Sequence, residues 1–234
     1  MELNPEISGM PDAAYRKPAF YSLLSLFAGT AIAAILLKTI PQGHTLLRLA
    51  AALFPIQICC LAALLFSLSR LSLRHGMREA FNIPRDMPPA LACIKHIVIT
   101  LLVLYPSIAL VTWASEWLCR KLGLPLVEQT FAKLPPGASP LHVALLAIAC
   151  VVIAPVMEEL LMRLVLFKAI RSHWPNAAFC LTAAIFAVFH GCPQYAPGLF
   201  LVGIALQMTQ KKGGMPLAIA LHSVFNAISL LMLN

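Results

Sequence analysis

The sequence predicts an all-α, polytopic membrane bundle of seven to eight transmembrane helices around a polar intramembrane cavity, and three observations lead there. Hydrophobic residues make up 60% of the 234 and charged residues 11%, with a mean hydropathy of +0.85, whereas a soluble domain carries about 25% charge. The apolar runs continue for about 20 residues, the length a helix needs to cross a bilayer, without the alternation of barrel strands. One of these runs, Ala154 to Phe167 (APVMEELLMRLVLF), holds two adjacent carboxylates and a guanidinium. An ionised side chain at the centre of a membrane helix is penalised by roughly 2.5 to 3.5 kcal/mol on insertion scales, so an intramembrane Glu-Glu pair marks a candidate functional site.

The runs place seven spans at about 19–37, 46–68, 90–113, 141–166, 177–190, 197–209 and 217–233. An amphipathic turn at Trp117 to Leu126, lying in the interface, would be an eighth element. Assigning loop cations to alternate sides puts Arg16, Lys17, Arg70, Arg74, Arg78, Arg85, Lys168, Arg171, Lys211 and Lys212 on one side, and Lys38, Arg120, Lys121 and Lys133 on the other. By the positive-inside rule the N-terminus is then cytoplasmic, in a multi-pass protein of the plasma (inner) membrane. Residues 1–18 read as a polar N-terminal segment, a poor leader because it carries Glu2, Glu6 and Asp12. Residues 19–140 read as membrane helices and loops, and 141–234 as the part that carries the acidic pair, all within one membrane domain.

The net charge of +8 is scattered over short loops with no aromatic-interleaved patch, so it argues for topology and against nucleic acid. Five of the seven cysteines, Cys59, Cys60, Cys93, Cys150 and Cys180, sit in apolar runs without CxxC spacing and read as small core residues. No internal repeat is evident, and Pro-rich turns such as Pro135-Pro136-Gly137 punctuate the loops.

Glu159 and Arg163 are four apart and share a helix face, which suits an ion pair. Glu158, about 100° round the helix, has no local partner and must find one on another helix. The fifth run ends in FAVFHG, giving Phe186 and His190, and the seventh contains HSVFN, giving His222 and Asn226 on one face. His96 and His142, alone on apolar stretches, read as hydrogen-bonded packing residues. Two imidazoles, a carboxamide and an unpaired carboxylate on three helices are satisfied together only by converging on a cavity. Such a set suits hydrolysis: the carboxylate takes a proton from water, an imidazole orients it, and imidazole and amide N–H groups stabilise an oxyanion.

Glu-Glu-x-x-x-Arg (Glu158, Glu159, Arg163), Phe-x-x-x-His (Phe186, His190) and His-x-x-x-Asn (His222, Asn226), in that order, resemble the three motifs of the CAAX protease and bacteriocin-processing enzyme (CPBP, Abi) family of intramembrane glutamate-type proteases. The resemblance covers about residues 141–234; the first 140 match only as generic membrane helices. It implies a CAAX prenyl protease-like endopeptidase acting on a peptide or membrane-associated protein, with or without a lipid on it, and without a cofactor. Glu158 and His190 would activate water, and His222 and Asn226 would form the oxyanion site; Glu159 and Arg163, which share a helix face, read as the structural pair of the same site. One rival is a zinc protease in which Glu158, His190 and His222 ligate the metal. Others are a cysteine protease pairing Cys192 with His190, and a non-catalytic scaffold or bacteriocin immunity protein in which the polar cluster only fixes helix packing.

Overall fold

The computed structural model describes residues 11–41, 45–70, 87–127, 134 and 138–233, and among these every regular element is a helix. The loop cations Arg74, Arg78, Arg85 and Lys133 and the turn Pro135-Pro136-Gly137 lie outside the described residues. A 3-10 turn, Asp12–Tyr15, leads into α1 (Arg16–Thr39). Then come α2 (Thr45–Arg70), α3 (Ala90–Lys121), α4 (Pro140–Arg171) and α5 (Ala178–Phe189). The last helical stretch, Ala196–Leu233, is broken at Gly213 and Gly214 into α6 (196–212) and α7 (215–233).

All seven predicted runs are helical, yet four stretches are long and apolar enough to cross a membrane on length and composition: Ala13–Thr39, Ala90–Lys121, Pro140–Arg171 and Ala196–Leu233, the last counted across its break. Pro55–Phe66 and Ala178–Phe189 are shorter. Two boundaries differ from the sequence expectation. Residues 12–18 are helical, and Tyr15 is fully buried under Lys168, which lies 4.7 Å from its ring centroid. Arg16 also ties this end to Ser172, with Nε donating to Oγ at 3.0 Å. The separate interfacial turn expected at Trp117 is instead the continuation of α3, whose 32 residues at about 1.5 Å each outrun a 30 Å hydrocarbon layer. Trp113 and Trp117 stand exposed near that end, where interfacial aromatics anchor a span.

The centre of the bundle is the second half of α4. All of Leu160–Leu166 is buried, packed among Phe186, Val202, Leu206 and Leu221 of the later helices, while Ile148, Val152 and Ile153 of the first half face outward. Glu159 and Arg163 in this half of α4 are therefore enclosed by protein. Along α3, His96 donates from Nε2 to Thr209 Oγ1 at 3.0 Å and accepts at Nδ1 from Lys212 at 3.3 Å. Tyr105 donates to the Phe225 carbonyl at 2.9 Å. His142 lies in the first turn of α4, where its backbone N–H is capped by Ser139 Oγ, one residue before Pro140 at the first helical position. Gly214 sits at φ 74°, ψ −175°, backbone that only glycine adopts readily, and a side chain at Gly213 would run into Leu217. The chain is forced to break there, and Pro216 restarts it as α7.

Candidate active site

The backbone of α4 is not a plain α-helix around the acidic pair. Two π-helical stretches, Ile148–Ile153 and Leu160–Leu166, flank Ala154–Glu159. In them the bond runs five residues back, as from Ala154 N–H to the Ala149 carbonyl and from Phe167 N–H to the Met162 carbonyl. Continuing that register, the Cys150 carbonyl should receive from residue 155, but this is Pro155, which has no N–H. Asn226 of α7 supplies the missing donor: its Nδ2 donates to the Cys150 carbonyl at 2.8 Å. One of the two amide hydrogens is thereby committed, which fixes the carboxamide and leaves the second free to donate.

Glu159 and Arg163 are 0% and 1% exposed, and Arg163 Nε lies 3.3 Å from Glu159 Oε2 in the expected i, i+4 pairing. The guanidinium also donates from Nη2 to the Gly203 carbonyl at 3.3 Å and lies 5.7 Å from the centroid of the Phe186 ring. Gly203 is at the close approach of α6 to α5, where an added Cβ would stand 3.0 Å from Ala183 Cα and Cβ.

His222, 2% exposed, joins the two carboxylates. Its Nδ1 is 3.0 Å from Glu159 Oε1, and since a carboxylate only accepts, Nδ1 carries the hydrogen. Its Nε2 is 3.7 Å from Glu158 Oε2, so the partner that Glu158 lacks on its own helix is on α7. That spacing is longer than a hydrogen bond, and Glu158 Oε2 is buried without a hydrogen-bond partner. The Glu158 side chain as a whole is 30% exposed, unlike that of Glu159. The result is a chain Glu158···His222···Glu159···Arg163 in which a carboxylate orients an imidazole toward a second, more accessible carboxylate.

His190 follows the last residue of α5. Its Nδ1 donates to the Phe186 carbonyl at 2.8 Å, leaving Nε2 with the lone pair in the neutral ring. It does not hydrogen-bond or ion-pair with Glu158; what it shares with the other site residues is Phe186. That ring is 4.8 Å from His190 and 5.8 Å from His222, so the two imidazoles flank one phenyl. Among the described residues no three His, Cys, Asp or Glu side chains group closely enough to hold a metal ion, so the zinc set of Glu158, His190 and His222 is not assembled here. Cys192 is buried, and Cys180, expected in the core, is exposed on α5.

Two contributors escaped the sequence reading. The Cys150 carbonyl was signalled only by a proline five residues on, and the Gly203 carbonyl only by a small residue where helices approach closely. Gln57 on α2 donates from Nε2 to the Ala149 carbonyl at 3.5 Å, which brings the N-terminal half up to α4.

Residues 140–228 match the family model described as type II CAAX prenyl endopeptidase Rce1-like, and every site residue above falls inside that segment. Over this segment the chain is similar to that family. The segment runs from the start of α4 through most of α7, and α1 to α3 lie outside it. Comparison with curated proteins and with solved structures gives no match. The match to that family over this segment, together with the four long apolar helices, supports an integral membrane protein.

Proposed function

We propose that this chain is an intramembrane endopeptidase of the CAAX prenyl protease type, cleaving a peptide or a membrane-associated protein near a membrane surface. The observation that carries the reading is the relay from Glu158 through His222 and Glu159 to Arg163, built across two helices of the matched segment. Glu159 is fully desolvated and held by two cationic or donor groups, so its role is to orient. Glu158 is the accessible carboxylate and takes the proton from the attacking water. His190, with Nδ1–H held by the Phe186 carbonyl, presents Nε2 to that water. As the carbonyl carbon becomes tetrahedral, its oxygen receives the second Asn226 N–H and the Nε2–H of His222 held as an imidazolium between the two carboxylates, its Nδ1–H staying on Glu159 throughout. Glu158 then passes its proton to the departing amine, which restores the starting state.

The reading is tested with the full chain reconstituted in liposomes and offered a quenched-fluorescence peptide with a CAAX-type C-terminus, prenylated or not. Cleavage of either at a single internal bond supports an endopeptidase, and a difference between the two reports whether the lipid is recognised. Failure to cleave either, with the protein intact and folded, favours the scaffold or immunity reading.

The accompanying topology is seven crossings with a cytoplasmic N-terminus, supported by the ten-to-four division of loop cations. With the native cysteines replaced, single cysteines at Leu124 and Trp174, both exposed, should label from opposite faces, Trp174 from the cytoplasm. Labelling of both from one face contradicts this arrangement.

A further inference from the structure

Along α7, His222 and Asn226 are four apart on one face, and Phe225 and Ser229 are four apart on the next, about 60° round the helix. The first pair carries the donors of the site. The second is gripped from α3 by Tyr105, whose Oη donates to the Phe225 carbonyl at 2.9 Å and lies 3.1 Å from Ser229 Oγ. A phenol has one hydrogen, so with that hydrogen on the carbonyl the Ser229 hydroxyl donates to Oη. The Tyr105 ring also stacks on that of Phe225, with 5.3 Å between centroids and 24° between planes. Hydroxyl and ring thus hold the same turn of α7 that carries Asn226. Neither Tyr105 nor Ser229 falls within the matched residues 140–228.

The consequence of this grip is rotational. Asn226 reaches the Cys150 carbonyl at 2.8 Å and His222 reaches Glu159 at 3.0 Å, and both partners belong to α4, so these two bonds leave α7 hinged on one neighbour. Tyr105 adds a support from a second helix. A carbonyl oxygen has two lone pairs, so the phenol bonds it without displacing the bond of the α7 backbone. A side-chain group about 5 to 6 Å from a helix axis moves about 1 Å for 10° of rotation. A displacement of that size, originating far from the chemistry, costs about 10²-fold in rate. We propose that Tyr105 is a positioning residue, which fixes the rotation of α7 and thereby aims the second N–H of Asn226 and the Nε2–H of His222 at the oxyanion. The chemistry of this role rests on the endopeptidase reading, whereas the clamp on α7 is independent of it.

The test uses the full chain in liposomes and compares Tyr105→Phe, which keeps the stacked ring, with Ser107→Ala, which removes a hydroxyl bonded to the Val103 carbonyl of its own helix. Tyr105→Phe should lower kcat by about ten- to a hundredfold with KM unchanged, while a thermal melt shows the variant folded at the assay temperature. Tyr105→para-aminophenylalanine, which returns an N–H donor to the same place, should recover much of the loss, and Ser107→Ala should match the wild type. An unchanged kcat in Tyr105→Phe overturns the proposal. So does an equal fall in Ser107→Ala, which assigns the effect to stability, or a loss that the amino group does not recover, which assigns it to packing. A second readout needs no turnover. In asparagine-labelled protein in detergent, the side-chain amide of Asn226 should be ordered by NMR in the wild type and lose order in Tyr105→Phe. If the wild type cleaves nothing, the endopeptidase reading fails and this amide decides the clamp: order lost in Tyr105→Phe upholds it, and order unchanged overturns it.

Discussion

Glu158→Gln is expected to reduce peptide-bond cleavage by about 10²- to 10⁴-fold, the range for loss of a positioned general base, while the protein accumulates at normal levels. The two halves of this expectation come from the same geometry. Glu158 Oε2 has no hydrogen-bond partner to lose, its side chain is 30% exposed, and His222 is 3.7 Å away, so an isosteric amide disturbs little packing. The amide cannot accept the proton of water. Single-turnover cleavage by equal amounts of reconstituted wild type and variant, with abundance read by quantitative blotting, checks both parts. Retained activity would remove Glu158 from the chemistry; a normal rate constant with vanishing protein would make it structural.

Arg163→Ala should have the opposite profile, with stability lost first. Removing the guanidinium leaves Glu159, 0% exposed, with His222 as its remaining partner among the described residues, and breaking a buried pair from one side is destabilising by about 3–5 kcal/mol. The Gly203 carbonyl and the Phe186 ring lose a neighbour at the same time. Thermal unfolding in detergent should therefore shift strongly downward. Glu159→Gln combined with Arg163→Ala should recover part of the loss, because the uncompensated charge is then gone. If the double variant melts below the single one, the guanidinium acts through packing and not through the pair.

The helical character and the positions of the runs were legible because hydrophobic continuity over about 20 residues admits few other folds in lipid. The pairing of Glu159 with Arg163 was legible from spacing, and the need of Glu158 for a partner on another helix followed from the angle between adjacent residues. What was not legible came from tertiary context. The π stretches leave little mark on the sequence beyond Pro155, since five-back hydrogen bonding is chosen by the neighbours that donate to the displaced carbonyls, here Asn226 to that of Cys150. That one imidazole would contact both carboxylates required knowing how α7 crosses α4. His190 was expected to converge with Glu158, His222 and Asn226 on one polar cavity; where its ring sits, against Phe186 with Nδ1 bonded to the Phe186 carbonyl, could not be read from spacing. The continuation of α3 through Trp117 was hidden because an interfacial amphipathic turn and the emergent end of a long span have the same composition.

The central claim, that this relay hydrolyses peptide bonds in membrane-associated substrates, is tested most directly in cells. Membrane fractions from cells carrying the wild-type chain and from cells carrying Glu158→Gln at matched abundance are compared by terminal-peptide mass spectrometry. The account predicts a discrete set of new protein termini present only with the wild type, each with its uncleaved precursor accumulating in the variant. Identical sets of termini in the two membranes, with both proteins folded and inserted, would contradict it.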